Sequence, residues 1–173
     1  MGTHDGEGTG IISKEELFVQ LGDELFTKYT KEGKLPHAVF HWMCRSLVTV
    51  AYELFVLNLR KLEIVLIRRP VDDPEWPDLL HSPGTVIRLG ETFETARDRV
   101  IATEIQAELS APVFVKAHRF PKGAGHPRDE VNLQYVAVVE SPPKHGSFHS
   151  LDDLPETQMV AHHVVMATFL RKW

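Results

Sequence analysis

Residues Pro83–Leu109 read PGTVIRLGETFETARDRVIATEIQAEL. Within this stretch Phe93, Ala96, Val100, Ile101, Ile105 and Leu109 recur at the spacing of one helical face, which predicts a helix over Thr92–Leu109. Ser110–Pro112 ends it, and Gly90, Glu91 and Thr92 stand at its entry.

Upstream, Pro70–Pro83 holds four prolines and Trp76, a loop crossing a sheet edge and ending in a short strand near Leu79–His81. Leu47–Leu57 and Leu62–Arg69 are rich in aliphatic residues and flank a polar Asn58–Lys61 turn, which predicts two adjacent strands. Pro36–Arg45 fits either helix or strand. Ser13 and Glu16 form a capping-box pair before Leu17, Phe18, Leu21, Leu25 and Tyr29, so an amphipathic helix is expected over 14–31, stopped at Gly33. Downstream, Val113–Phe120 and Val131–Glu140 read as strands separated by PKGAGHPRDE, and a last helix is expected from Glu156 to the C-terminus. Strands this closely spaced cannot all be joined by parallel crossovers, so the elements predict an α/β sandwich with a mixed sheet between helices. The expected organisation is a flexible tail over 1–12, a helical segment over 13–35 and a folded domain over 36–173.

A chain of 173 residues, 43% hydrophobic and 25% charged, fits one folded domain and excludes fibrous or wholly disordered classes. A formal charge of -5 argues against broad binding to nucleic acid. Cys44 is the single cysteine, which excludes an intramolecular disulfide and fits a cytoplasmic setting. The N-terminus shows no export signal, and Leu47–Leu57, cut by Glu53, falls short of the roughly 20 residues that span a bilayer.

The stretch from Pro83 resembles the signature of the Nudix (MutT-like) hydrolase superfamily, G-x5-E-x7-R-E-U-x-E-E-x-G-U with U aliphatic. Glu91, Arg99, Ile101 and Glu104 match it, while Thr85, Val100, Thr103 and Gln106 stand where it has glycine, glutamate, glutamate and glycine. The resemblance covers about residues 36–173 and implies a Nudix-like α/β/α sandwich, with a strand running into the helix at Gly90–Thr92. It further implies cleavage of a phosphoanhydride in a nucleoside diphosphate derivative, with Mg2+ or Mn2+ held by carboxylates.

In that frame Glu104, Arg99 and Glu91 carry over as the catalytic set, Glu91 and Arg99 as a pair bracing loop and helix. Glu104, the main-chain oxygen of Thr85 and Glu108, one turn on along the same face, become the metal positions. Asp129 and Glu130 offer a further source of carboxylate. Arg69, at a strand end, would grip a phosphate or stand as a solvated strand terminus, and Trp76 would stack on a flat ligand or anchor its loop in the core. With Val100 and Thr103 in place of glutamates, two readings stand: a weak pyrophosphohydrolase, or a module of the same fold that binds a nucleotide or a protein without cleavage. The first helix offers a dimer contact. The ten histidines lack zinc spacing, His162 and His163 pointing about 100° apart on a helix, so no zinc site is expected. Gly123–His126 reads as a loop, and Cys44 has no nucleophile signature.

Overall fold

The structure, a computed structural model, describes residues 13–32, 35–123 and 126–172. The expected tail, the stop at Gly33 and Ala124–Gly125 of the glycine loop lie outside the described residues. The chain divides into two compact units, 1–41 and 42–173.

The first unit holds α1 (Lys14–Glu32), which opens on the expected capping box. The Ser13 N–H donates to Glu16 Oε2 at 2.9 Å and the Glu16 N–H donates to Ser13 Oγ at 3.1 Å. The ambiguous Pro36–Arg45 segment resolves as α2 (His37–Ser46), which spans the division and buries Cys44.

The second unit is built on a seven-stranded sheet of β1 (Thr49–Asn58), β2 (Glu63–Arg68), β3 (Leu80–His81), β4 (Gly84–Val86), β5 (Val113–Phe120), β6 (Glu130–Val138) and β7 (Ser147–Ser150). The main order is β3-β2-β1-β6-β5; β4 adds to β1 and β7 to β2. β1 and β6 run parallel over nine residue pairs, Thr49 against Glu130 through Leu57 against Val138, and the other pairings are antiparallel. The mixed α/β sheet is thus the one expected, with β4 and β7 added. Both new strands are too short for periodicity to mark them.

Burial on both faces explains why β1 is so apolar. Tyr52, Leu54 and Val56 pack into one layer with Ala96, Val100 and Ile105. Phe55 and Leu57 pack into the other with Leu80, Met159, Met166 and Ala167. The first layer is covered by α3 (Phe93–Val100) and the second by α4 (Ala161–Arg171).

Two helices are shorter than expected. α3 gives way to one wide π-turn over Ile101–Ile105 and stops at Gln106, which is left-handed at φ 51, rather than at Ser110. At the C-terminus, Glu156–Gln158 forms a 3-10 turn, Met159 bridges to Leu80, and only then does α4 begin. Among the described residues no helix is long and apolar enough to cross a membrane.

The two partners on one edge of β1 create the site. β2 pairs with its far end, Leu57 against Ile64, and β4 with its near end, Glu53 against Gly84. A cleft of about 370 Å³ lies beside the end of β2, lined by Ile67, Arg68, Arg69, Pro70, His81, Thr103, Glu104 and His145.

Candidate functional site

The entry to α3 is braced as the sequence suggests. Thr92 caps the helix, accepting from the Thr95 N–H at 3.2 Å, while Thr95 Oγ1 accepts from the Thr92 N–H at 2.9 Å. Arg99 reaches back with a two-pronged grip on Glu91, Nε to Oε1 and Nη2 to Oε2, both 2.8 Å. The same guanidinium donates to Thr85 Oγ1 and to the Val86 carbonyl. These bonds, with a third from the Arg88 N–H, hold the Glu91 carboxyl below its usual range. Glu91 and Arg99 therefore tie β4, the loop and α3 together, and neither lines the cleft.

Glu104 does line the cleft. Its Oε2 accepts the Gly84 N–H at 3.0 Å, and burial pushes its pKa up to about 7, against the lowering effect of that hydrogen bond.

Two expected metal positions, Glu108 and Thr85, need correction, and the residues at the two replaced glutamate positions are placed as follows. Val100 has no exposed surface and belongs to the core layer under α3, so it does not share the cleft with Glu104. Thr103 is exposed and bonds its own helix, Oγ1 to the Arg99 carbonyl at 2.8 Å. Glu108 is not one turn along the same face, because the helix has ended at Gln106; its main chain bonds to Glu140 and Ser141 instead.

The Thr85 carbonyl is also ruled out as a cation donor. Leu54 N–H to Pro83 O and Ile87 N–H to Val50 O, both 2.8 Å, flank the Tyr52–Thr85 pair, and ladder alternation turns the Thr85 carbonyl toward β1. It leaves the Gly84 carbonyl on the edge where Glu104 sits. Thr85 has no positive φ, so the strain its Cβ could impose is absent.

Behind Gly84 lies the residue that sequence reading missed as functional. A Cβ at Gly84 would overlap the Glu53 carboxylate, so glycine is what lets that carboxylate approach. Glu53, on β1, is buried, and its pKa is raised by desolvation and by the nearby Glu130 and Glu104. Ser82 Oγ lies 3.4 Å from Glu53 Oε2 and also meets His163 Nδ1. The only signal in the sequence was one acid inside the apolar run Leu47–Leu57.

On the other wall, Arg69 already holds a carboxylate: Nε and Nη2 reach Asp73 Oδ2 at 3.0 and 2.6 Å. Trp76 is 8% exposed, with Arg69 and Arg128 at 5.3 and 5.4 Å from its ring, so it anchors the loop and has no open face for a ligand. His81, also in the cleft, is kept neutral by burial, its pKa down to about 4. Asp129 pairs with Arg119 at 3.3 Å, and Glu130 is buried against Arg128, so neither reaches the cleft.

Neither a protein-family model nor a curated protein matches the sequence. Solved structures do match the fold. A MutT Nudix hydrolase from Burkholderia pseudomallei is similar at TM-score 0.59 and 20% identity, over 70% of this chain and 97% of that one. A Nudix hydrolase from Nitrosomonas europaea is similar at TM-score 0.58 and 12% identity, over 71% and 87%. A bifunctional NMN adenylyltransferase/ADP ribose pyrophosphatase from Francisella tularensis is similar at TM-score 0.56 and 14% identity, over 92% of this chain and 49% of that one. The chain has the Nudix fold.

Proposed function

We propose that this Nudix-fold chain is a weak, divalent-dependent pyrophosphohydrolase acting on a nucleoside diphosphate derivative. The observation that carries the reading is Glu104: of the signature's metal-facing acids it alone is kept, and it sits in the cleft with Gly84 fixed against it. Glu53 packs against Gly84 and its carboxyl feels the Glu104 charge, so a second carboxylate lies near the first. That donor set suits Mg2+ or Mn2+, which take one or two carboxylates and fill the remaining positions with water and phosphate oxygens.

A bound cation would neutralise phosphate charge and acidify a water. The remaining work falls to the chain. Glu104 and Glu53 would hold the cation as carboxylates, their protons lost to solvent, Arg69 would exchange part of its hold on Asp73 for a phosphate oxygen, and Arg99 with Glu91 keeps β4 and α3 in register. Two carboxylates are fewer than the signature supplies, which is why the activity is weak.

The test is hydrolysis of nucleoside diphosphate sugars, dinucleoside polyphosphates and nucleoside triphosphates with Mg2+ or Mn2+. Cleavage that disappears in Glu104→Gln supports the reading; cleavage unchanged in that variant overturns it. Val100 in the core and Thr103 bonded to its own helix favour the second reading, a binding module of the same fold. That reading requires nucleotide binding that survives both chelation and Glu104→Gln.

A further inference from the structure

His126 and Glu130 stand four residues apart, His162 lies more than thirty residues further on, and the three meet where α4 begins. His126 precedes β6, Glu130 opens it, and His162 lies in the first turn of α4. One ligand atom from each lies within 4.8 Å of the others, and all three residues are buried.

The hydrogen bonds decide which atoms are available. His126 Nδ1 meets the Arg128 carbonyl, which can only accept, so Nδ1 carries a proton and Nε2 is the nitrogen left to ligate. Nε2 is buried without a hydrogen-bond partner, 3.9 Å from Glu130 Oε1. An imidazole nitrogen and a carboxylate facing each other in a dry interior are reconciled by a cation between them, a proton or a metal ion. Glu130 is itself held by its neighbours, Oε1 by Asn132 Nδ2 at 2.6 Å and Oε2 by Arg128 Nε at 2.9 Å. Imidazole bonded to a main-chain carbonyl, and carboxylate bonded to an amide, are the outer partners that orient metal ligands.

His162 completes the group. Its ring centroid is 4.7 Å from that of His126, between Trp76 at 5.3 Å and Phe120 at 5.1 Å. Burial holds its pKa down to about 2, so it remains the neutral imidazole that ligates. Charge is also favourable: Arg128 lies between Glu75 Oε2 at 3.3 Å and Glu130, one guanidinium against two carboxylates.

We propose that His126, Glu130 and His162 form a binding site for a first-row transition-metal dication of the zinc class, separate from the Glu104 cleft. Two imidazoles and one carboxylate suit such an ion and disfavour Mg2+. Metal–ligand bonds of about 2.1 Å allow ligand atoms at most about 4.2 Å apart, so the group closes slightly on binding. The ion ties the segment before β6 to α4, and it leaves coordination positions for water or a ligand.

Metal-stripped full-length protein is titrated with Co2+, a spectroscopic stand-in for zinc, and read by visible absorption, elemental analysis and melting temperature. The expected result is one tightly held Co2+ per chain with ligand-field bands, a raised melting temperature, and binding at least ~100-fold tighter than for Mg2+. The bands should vanish in His126→Gln and His162→Gln and persist in Glu104→Gln and in the His145→Asn/His149→Asn double variant. X-ray absorption of the wild-type zinc form should count two imidazoles, which requires no variant to fold. No Co2+ bands in the wild type, bands kept in both buried-histidine variants, bands lost with Glu104 or the surface histidines, or fewer than two imidazoles would each overturn the proposal. Loss of hydrolysis in Glu104→Gln with the Co2+ site intact separates this site from the function proposed above.

Discussion

Val100 and Glu104 lie four residues apart at the end of one helix, yet Val100 is sealed in the core and Glu104 opens on the cleft. The wide turn over Ile101–Ile105, closed by the Gln106 N–H on the Ile101 carbonyl at 2.7 Å, takes one residue more per turn than an α-helix and alters which faces coincide. Restoring the signature's two glutamates therefore has unequal effects. Val100→Glu places a carboxylate among Tyr52, Leu54 and Ile105 and should cost at least ~3 kcal/mol in urea unfolding. Thr103→Glu lies on the surface beside Glu104 and should change stability by less than ~1 kcal/mol. In the hydrolase reading it should raise divalent-dependent turnover by about tenfold, equivalent to ~1.4 kcal/mol of barrier.

Arg99 is a positioning residue whose loss should appear first in stability. Arg99→Ala leaves Glu91, with its side chain 11% exposed, without its two-pronged partner, and should cost about 2–4 kcal/mol. Arg99→Lys keeps the charge but loses the fork, so it should recover less than half of that. Urea midpoints of the two variants check this ordering.

Glu104 gives a pH signature with a definite sign. Its folded pKa, about 7, lies above the unfolded value of 4.5, so the folded state binds more protons between them. Stability from this group is full below pH 4.5 and is lost as pH rises through about 7. Unfolding free energies across that window should fall with pH in the wild type and stay flatter in Glu104→Gln. Divalent affinity of the cleft should follow the opposite course, rising at least tenfold per pH unit up to about 7, since both Glu104 and Glu53 must lose a proton to ligate.

What could be read in the sequence was whatever repeats or is spaced along the chain. The apolar runs at β1 and β2, the helical face from Phe93 and the Glu91–Arg99 spacing all rest on such local patterns. Hidden features depend on contacts between distant segments. β4 is three residues long and exists because β1 has a free edge there. Glu53 meets Gly84 only through that pairing, and His126 meets His162 only when α4 folds over the sheet. Zinc spacing rules, which look for ligands a few residues apart, excluded the histidines for the same reason. The helix end at Gln106 was hidden differently, since a left-handed glutamine has no local mark comparable to glycine.

Asp73 sets the acid limit of the cleft wall. Arg69 holds its Oδ2 at 2.6 Å, and the Glu75 and Trp76 N–H groups donate to Oδ1 at 3.0 and 2.8 Å. Against the opposing effect of desolvation these bonds bring its pKa from 3.8 down to about 2. Because the folded value is the lower one, the unfolded chain binds more protons in that window; the stabilisation is present above about pH 4 and lost as pH falls through about 2. Asp73→Asn should cost roughly 1–2 kcal/mol at pH 6, and the gap to wild type should close as both are titrated toward pH 2. The same variant frees the Arg69 guanidinium, so a ligand whose phosphate contacts Arg69 should bind more tightly to Asp73→Asn, measured by calorimetry at pH 7. Weaker binding in this variant would mean that Asp73 aims Arg69 at the ligand instead of competing for it.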